Sequence, residues 1–189
     1  MKEIDASGLD CPKPVIKTKD ALTEVNELKV IVDNQVAADN VARFAKNSGY
    51  KVSKLNNETE YIIQIETDTS TEDKIDNTQE GKVFFITSQT LGEGEEELGE
   101  TLIRGFLTTL LKTEPLPAKI IFINSGVKIP TTNQKAKKSL AQLESKGVDI
   151  LSCGACLDYY NLEDKLDVGK ISNMYEIVES LNTFEVVKV

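Results

Sequence analysis

The sequence contains no histidine, and this absence limits the chemistry that its 189 residues can perform. Ser-His-Asp triads and Cys-His pairs need an imidazole as the general base, so neither can be built within this chain. Zinc sites with histidine ligands are excluded for the same reason. A reactive cysteine must therefore be activated by a helix end, by a lysine or by a partner protein.

Cysteine is scarce too, because the chain has only Cys11, Cys153 and Cys156. This small, odd number does not suggest a disulfide scaffold. No apolar run is long enough to span a bilayer, and no secretory signal precedes the first predicted strand. We therefore expect a cytoplasmic protein in a reducing environment. The formal net charge of −9 argues against broad nucleic-acid binding and against binding to anionic membranes.

The apolar pattern divides the chain into two predicted domains and a linker. Residues 1–66 read β-α-β-α-β-β, which is typical of an α+β two-layer sandwich with two helices on one face of the sheet. Residues 67–80 are polar and acidic, which predicts a flexible linker. Residues 81–189 alternate strands and helices, and this predicts an α/β doubly wound, mostly parallel sheet.

Three predictions place elements within the second domain. A strand over residues 148–152 ends just before Cys153, and a short helix is expected over residues 162–166. A longer helix over residues 95–112 carries an apolar stripe at helical spacing. The residues expected to face inward on that helix are Leu98, Leu102, Phe106 and Leu110, with Ile103, Leu107 and Leu111 widening the stripe.

Cys11 stands directly before Pro12-Lys13-Pro14, where a helical pattern begins. Proline suits the first turn of a helix, whereas the residue before a proline avoids helical geometry. We therefore expect Cys11 at or just before the helix start, in the position of a cap. Free N–H groups and the helix dipole would stabilise a thiolate there, and Lys13 and Lys17 would add positive charge. The alternative is that Cys11 is a small buried residue near a turn.

Cys153 and Cys156 form a Cys-x-x-Cys pair after the third predicted strand of the second domain. Reactive groups in open α/β sheets gather beyond the carboxyl ends of strands. The spacing is compatible with a disulfide, a metal half-site or a sulfur relay. A zinc site would need two more ligands, which the chain's cysteines and histidines do not supply, so we expect no metal. Two cysteines that merely pack at a strand end remain an alternative.

The first of these motifs carries a family resemblance. Residues 5–14, with Cys-Pro-x-Pro at their end, resemble the signature of the TusA/SirA-like sulfur-carrier family over about the first third of the chain. The resemblance implies that Cys11 carries a persulfide.

The second domain resembles the DsrE-like family of sulfur-transfer proteins. The resemblance lies in the strand at residues 83–87, the strand ending at residues 124–126 and the position of Cys153. It implies that Cys153 accepts sulfur, whereas Cys156 departs from the simplest family pattern. The domain order and the run at residues 153–160 resemble the YedF-like group of TusA–DsrE fusions, which implies a connection with selenium metabolism.

These resemblances together imply a sulfur or selenium carrier that works without a cofactor, rather than a stand-alone multiple-turnover enzyme. The implied partners are a sulfur donor such as a cysteine desulfurase and a downstream sulfur or selenium acceptor protein, and a homo-oligomer through the DsrE-like domain is compatible with them. Two alternatives stay open. One is a redox-sensing regulator with a Cys153–Cys156 disulfide, and the other is a non-catalytic interaction module in which the cysteines only pack.

Overall fold

The computed structural model describes residues 2–10, 12–56, 60–67 and 81–189. Cys11 lies outside the described residues, as do residues 68–80, which make up all but the first residue of the predicted linker. The described residues form two compact units, and each unit has its own β-sheet. Within these ranges, no helix combines the length and the apolar character needed to cross a membrane.

The first unit contains its strands and helices in the predicted order. They are β1 (Lys2–Asp5), α1 (Lys13–Leu22), β2 (Glu27–Val32), α2 (Gln35–Asn47), β3 (Tyr50–Asn56) and β4 (Tyr61–Thr67). The sheet order is β1-β2-β4-β3, with β1 parallel to β2 and the other pairs antiparallel. This arrangement confirms the α+β sandwich.

The core of this unit follows from the two periodicities in the sequence. Alternate residues Leu28, Val30 and Val32 of β2 are buried, as expected for a strand with one face on a core. α2 supplies buried small residues such as Ala38 and is capped by Asn34, whose side chain accepts the N–H of Ala37 at 2.8 Å. Burial and capping therefore both favour this helix where the sequence places it.

Hydrogen bonds determine where two strands of the first unit end. The sequence of residues 4–8 is typical of a short strand closed by a glycine, but β1 ends at Asp5, because the Asp5 carboxylate accepts the N–H of Ser7 at 2.9 Å and turns the chain. β4 continues through Thr67, one residue into the predicted linker, since the Thr67 N–H donates to the Asn26 carbonyl at 3.0 Å.

The second unit contains five strands within the described residues, interleaved with helices. They are β5 (Lys82–Ile86), α3 (Glu96–Leu110), β6 (Lys119–Phe122), α4 (Lys128–Thr131), α5 (Gln134–Ser145), β7 (Asp149–Cys153), α6 (Gly154–Tyr159), β8 (Lys170–Ser172), α7 (Met174–Thr183) and β9 (Glu185–Lys188). The sheet order is β8-β7-β6-β5-β9, and every pair is parallel.

Both faces of this sheet are covered, which confirms the doubly wound class. On β6, Ile120 and Phe122 belong to the core shared with α3 and α5. The intervening Ile121 belongs to a second core on the opposite face, with Ile177 of α7. Strands that are buried on both sides need apolar residues at successive positions, and this explains the continuous apolar runs in the sequence.

The predicted inward face of α3 is wrong in part. Leu98 is 57% exposed and Leu102 is 44% exposed, whereas Ile103 and Leu107 are fully buried. The helix offers two adjacent apolar stripes, and the buried one contains Gly99. A Cβ on Gly99 would lie 2.7 Å from the Thr90 Cβ, so the segment after β5 packs closely against the stripe that contains this glycine.

The short elements are where sequence periodicity was least informative. The expected helix over residues 162–166 is a 3-10 turn at Glu163–Lys165, and β7 extends one residue further than predicted, to Cys153. α4, α6, β8 and a 3-10 turn at Asn124–Val127 were not predicted. Segments of three to six residues are too short to show a helical or strand period.

The close packing at Gly126 provides a test of the second unit. A Cβ at this buried glycine would lie 2.6 Å from the Ile86 carbonyl oxygen, whereas one at the exposed Gly105 of α3 would meet nothing within 4 Å. We expect Gly126→Ala to lower the free energy of unfolding by about 1–3 kcal/mol. Gly105→Ala should raise it by up to about 1 kcal/mol, because alanine favours the helix. Urea denaturation of both variants measures this, and an unchanged midpoint for Gly126→Ala would contradict the packing described.

Candidate functional site

Three strand ends meet at the carboxyl edge of the second sheet. β5, β6 and β7 are parallel neighbours, so the segments that follow them lie side by side. The Ile123 N–H donates to the Ile86 carbonyl at 3.0 Å, and the Gln89 N–H donates to the Ser125 hydroxyl at 3.3 Å. These bonds fix the segment after β6 against the segment after β5.

Cys156 lies at this edge, in the first turn of α6, and is partly exposed. Its sulfur accepts the backbone N–H of Asn124 at 3.1 Å. Asn124 has φ 49°, in the left-handed region that asparagine enters more readily than most residues. Its side-chain oxygen accepts the Tyr160 hydroxyl at 3.2 Å. An N–H held in this way can stabilise an anionic sulfur on Cys156 through a charge-assisted hydrogen bond.

Cys153 has a different environment, although it is only three residues away. It is the last residue of β7, is 2% exposed, and lies in the core on the α7 side of the sheet. Burial raises the pKa of the Cys153 thiol to about 12, since a thiolate there would lose its hydration. The backbone N–H groups of Cys156 and Ala155 lower the pKa, but they do not offset the burial. At neutral pH Cys153 is therefore a protonated thiol.

The structure brings Cys153 and Cys156 together as neighbouring free thiols with unequal access to solvent. The position that the sequence resemblance assigned to the sulfur acceptor, Cys153, is the buried one. Among the residues described, no group of three or more histidine, cysteine, aspartate or glutamate side chains is placed to hold a metal ion.

The other predicted site residues lie at the start of α1. Pro12 occupies the cap position with φ −98° and ψ 14°, Lys13 is the first helical residue, and Pro14 is buried in the first turn. The Lys13 N–H donates to the Asp10 carbonyl at 2.9 Å, so this donor is already used. The cap position therefore belongs to Pro12 and not to Cys11 as expected, because the first helical residue is Lys13. Cys11 itself lies outside the described residues, and its activation by the helix start stays a prediction.

The sequence alone does not indicate that Asn124 and Tyr160 lie beside a reactive cysteine. Each stood within a segment that carried the family resemblance, but neither residue type shows by itself that it supports a sulfur atom. Their role depends on the left-handed conformation of Asn124 and on the short helix α6, and a sequence period reveals neither.

Comparisons with known proteins match each unit separately. Residues 2–67 match the family Sulfurtransferase TusA, and residues 81–188 match the DsrE/DsrF-like family. A candidate sulfur carrier protein of Methanocaldococcus jannaschii is 51% identical over 68 residues, which cover 34% of this chain and 89% of that protein.

Two solved structures resemble the two parts of the chain. A SirA-like protein of Desulfitobacterium hafniense is 34% identical, with a TM-score of 0.33, over 35% of this chain and 96% of that chain. The ychN protein of E. coli is 16% identical, with a TM-score of 0.45, over 59% of this chain and 100% of that chain.

The unequal environments of the two cysteines predict unequal reactivity. In the folded protein at pH 8, iodoacetamide should modify Cys156 at least about tenfold faster than Cys153, because a thiol with a pKa of about 12 holds little thiolate and is shielded from the reagent. Peptide mass spectrometry after timed quenching measures both rates. In urea the two rates should converge, and equal rates in the native protein would contradict the environments described.

Proposed function

The chain belongs to the DsrE/DsrF-like family over residues 81–188, and its residues 2–67 match the sulfurtransferase TusA family, so we propose that it is a sulfur carrier. The sequence resemblances predicted both matches. The chain would hold sulfane sulfur as a persulfide on cysteine and pass it on, without a cofactor. A donor protein such as a cysteine desulfurase would supply the sulfur, and a downstream protein would accept it. We place this activity in a reducing cytoplasm, where the thiols stay free.

The observation that supports this proposal most directly is the environment of Cys156. A sulfur acceptor needs a sulfur atom that a donor can approach, and Cys156 is partly exposed at the carboxyl edge of the sheet. It also needs a donor group for the thiolate that attacks the donor and that is released again when the sulfur is passed on, and the Asn124 N–H lies 3.1 Å from the Cys156 sulfur. Cys153 meets neither need, because it is buried. We therefore propose Cys156 as the second acceptor, with Cys153 as its buried neighbour.

The transfer step balances without an oxidant or a reductant. The Cys156 thiolate attacks the terminal sulfur of a donor persulfide, a new S–S bond forms on Cys156, and the donor's S–S bond breaks. The electron pair of that bond leaves with the donor thiolate. A selenium atom would move in the same way and leave a selenosulfide on the cysteine.

We propose Cys11 as the first acceptor. The Cys-Pro-x-Pro motif, the TusA match and the similarity to a candidate sulfur carrier all concern this part of the chain. Since both acceptors belong to one chain, sulfur received on Cys11 can be relayed to Cys156 by a second exchange of the same kind.

A second candidate function is a thiol redox sensor. It is favoured by one observation, namely that the free thiols of Cys153 and Cys156 are side-chain neighbours. It ranks lower because a thiol as buried as Cys153 reacts slowly with oxidants.

Mapping of bound sulfur tests the proposed function. After incubation of the full chain with a persulfidated cysteine desulfurase, peptide mass spectrometry should find one additional sulfur atom on Cys11 and one on Cys156. Cys11→Ser should empty Cys156, because Cys11 feeds it, whereas Cys156→Ser should leave Cys11 loaded. Cys153→Ala is the matched control for the second unit and should keep sulfur on Cys156.

The same experiment separates the alternatives. A Cys153–Cys156 disulfide without bound sulfur would identify a redox sensor. Three unmodified cysteines would indicate an interaction module. Equal loading of Cys156 with and without Cys11 would contradict the relay while leaving a sulfur carrier in place.

A further inference from the structure

A cleft of about 370 Å³ lies in the second unit, on the side of α3 and α5. Its volume is in the lower part of the range of small-molecule sites. The residues that line it come from the segment after β5, from α3, and from α4 through the start of α5. Those used below are Gln89, Glu100, Arg104, Lys128 and Lys135.

Lys128 and Gln89 line the cleft and also contact residues around the Cys156 site. The Lys128 ammonium lies 4.8 Å from the centre of the Tyr160 ring. The Tyr160 hydroxyl donates to the Asn124 side chain, and the Asn124 N–H donates to the Cys156 sulfur. From the other side, the Gln89 N–H donates to Ser125, the residue that follows Asn124. A molecule beside Lys128 and Gln89 would thus touch residues that are linked to the thiol through Tyr160, Ser125 and Asn124.

The charge of the cleft is opposite to that of the whole protein. The cleft is lined by three cationic side chains, Arg104, Lys128 and Lys135, and by one carboxylate, that of Glu100. Three positive charges and one negative charge give it a net charge of +2, whereas the whole chain has a net charge of −9. Glu100 pairs with Arg104 at 3.6 Å. Over the ranges that the structure describes, Lys128 and Lys135 have no ion-pair partner. A concave site with two uncompensated cations attracts small anions.

We propose that this cleft binds a low-molecular-weight persulfide that carries carboxylates, with the carboxylates beside Lys128 and Lys135 and the sulfane sulfur directed to Cys156. The inference rests on the proposed function and adds a substrate class to it, because the second unit would then also be loaded directly by a small molecule. Cys156 attacks the terminal sulfur of the bound persulfide, and the small thiolate leaves with the electron pair of the broken S–S bond.

Binding without chemistry is the first test. S-methylglutathione carries two carboxylates and cannot transfer sulfur, so it probes the cleft alone. In an NMR titration of the full chain, it should shift the backbone signals of Gln89 and of residues 128–135. The variant with both Lys128→Gln and Lys135→Gln should bind at least about tenfold more weakly, since two charge pairs are lost. The matched control is Lys138→Gln. It removes an exposed charge from α5, the helix that contains Lys135, but Lys138 does not line the cleft, so this variant should bind as the wild type does.

Lys135→Gln alone is the second variant, because Lys135 is exposed and its loss should not disturb folding. It should weaken binding by an intermediate factor. Shifts confined to other regions, or equal binding by the double variant, would overturn the proposal. Tighter binding of an acidic peptide than of S-methylglutathione would also overturn it, in favour of a protein partner.

Sulfur transfer is the second test, done with Cys11→Ser present throughout so that Cys11 cannot feed the site. Glutathione persulfide should load Cys156 about tenfold more slowly when Lys128 and Lys135 are glutamine. Cysteamine persulfide, which has no carboxylate, should not be slowed. If the lysine substitutions slow neither donor, the cleft proposal fails and the sulfur carrier stands. If no donor loads Cys156 even with both lysines present, the proposed function of the second unit fails.

Discussion

Parallel pairing of β5, β6 and β7 is the constraint on which the second unit depends. Parallel strands must run in the same direction, so their carboxyl ends and the segments after them meet at one edge. At that edge the Asn124 N–H reaches the Cys156 sulfur at 3.1 Å. No single segment forms this contact, because Asn124 follows β6 and Cys156 follows β7. The fold therefore builds the site, and the residues at the strand ends determine its chemistry.

The same edge gives two nearby cysteines opposite properties. Cys153 is the last residue of its strand and turns into the core, where burial raises the pKa of its thiol to about 12. Cys156 is one helical turn later and is partly exposed. A Cys-x-x-Cys motif does not by itself indicate which sulfur reacts, and here the point where strand becomes helix makes the difference. We propose that Cys156, the accessible cysteine, transfers sulfur and that Cys153, the buried one, packs in the core.

The sequence predicted both fold classes, because long elements carry a clear period. The alternation in β2 and the continuous apolar strands of the second sheet were sufficient for this. It misplaced the inner face of α3, since Leu98 and Ile103 both fit a helical stripe, and the close packing of Thr90 against Gly99 on the buried stripe cannot be read from the sequence. It located Cys153 and Cys156 but not Asn124, whose contact with the Cys156 sulfur involves a left-handed backbone in a turn too short to show a period. The cleft was not predicted, because Arg104, Lys128 and Lys135 come together only through the fold.

The central claim is that this protein carries sulfur, or selenium, on its cysteines, and the intact mass of protein isolated without reductant tests it most directly. We expect species heavier than the bare chain by one or two sulfur or selenium atoms, and treatment with a thiol reductant should return them to the mass of the sequence. A population that has only the mass of the sequence would contradict the account. So would a mass lower by two hydrogen atoms, because that is the mark of a disulfide.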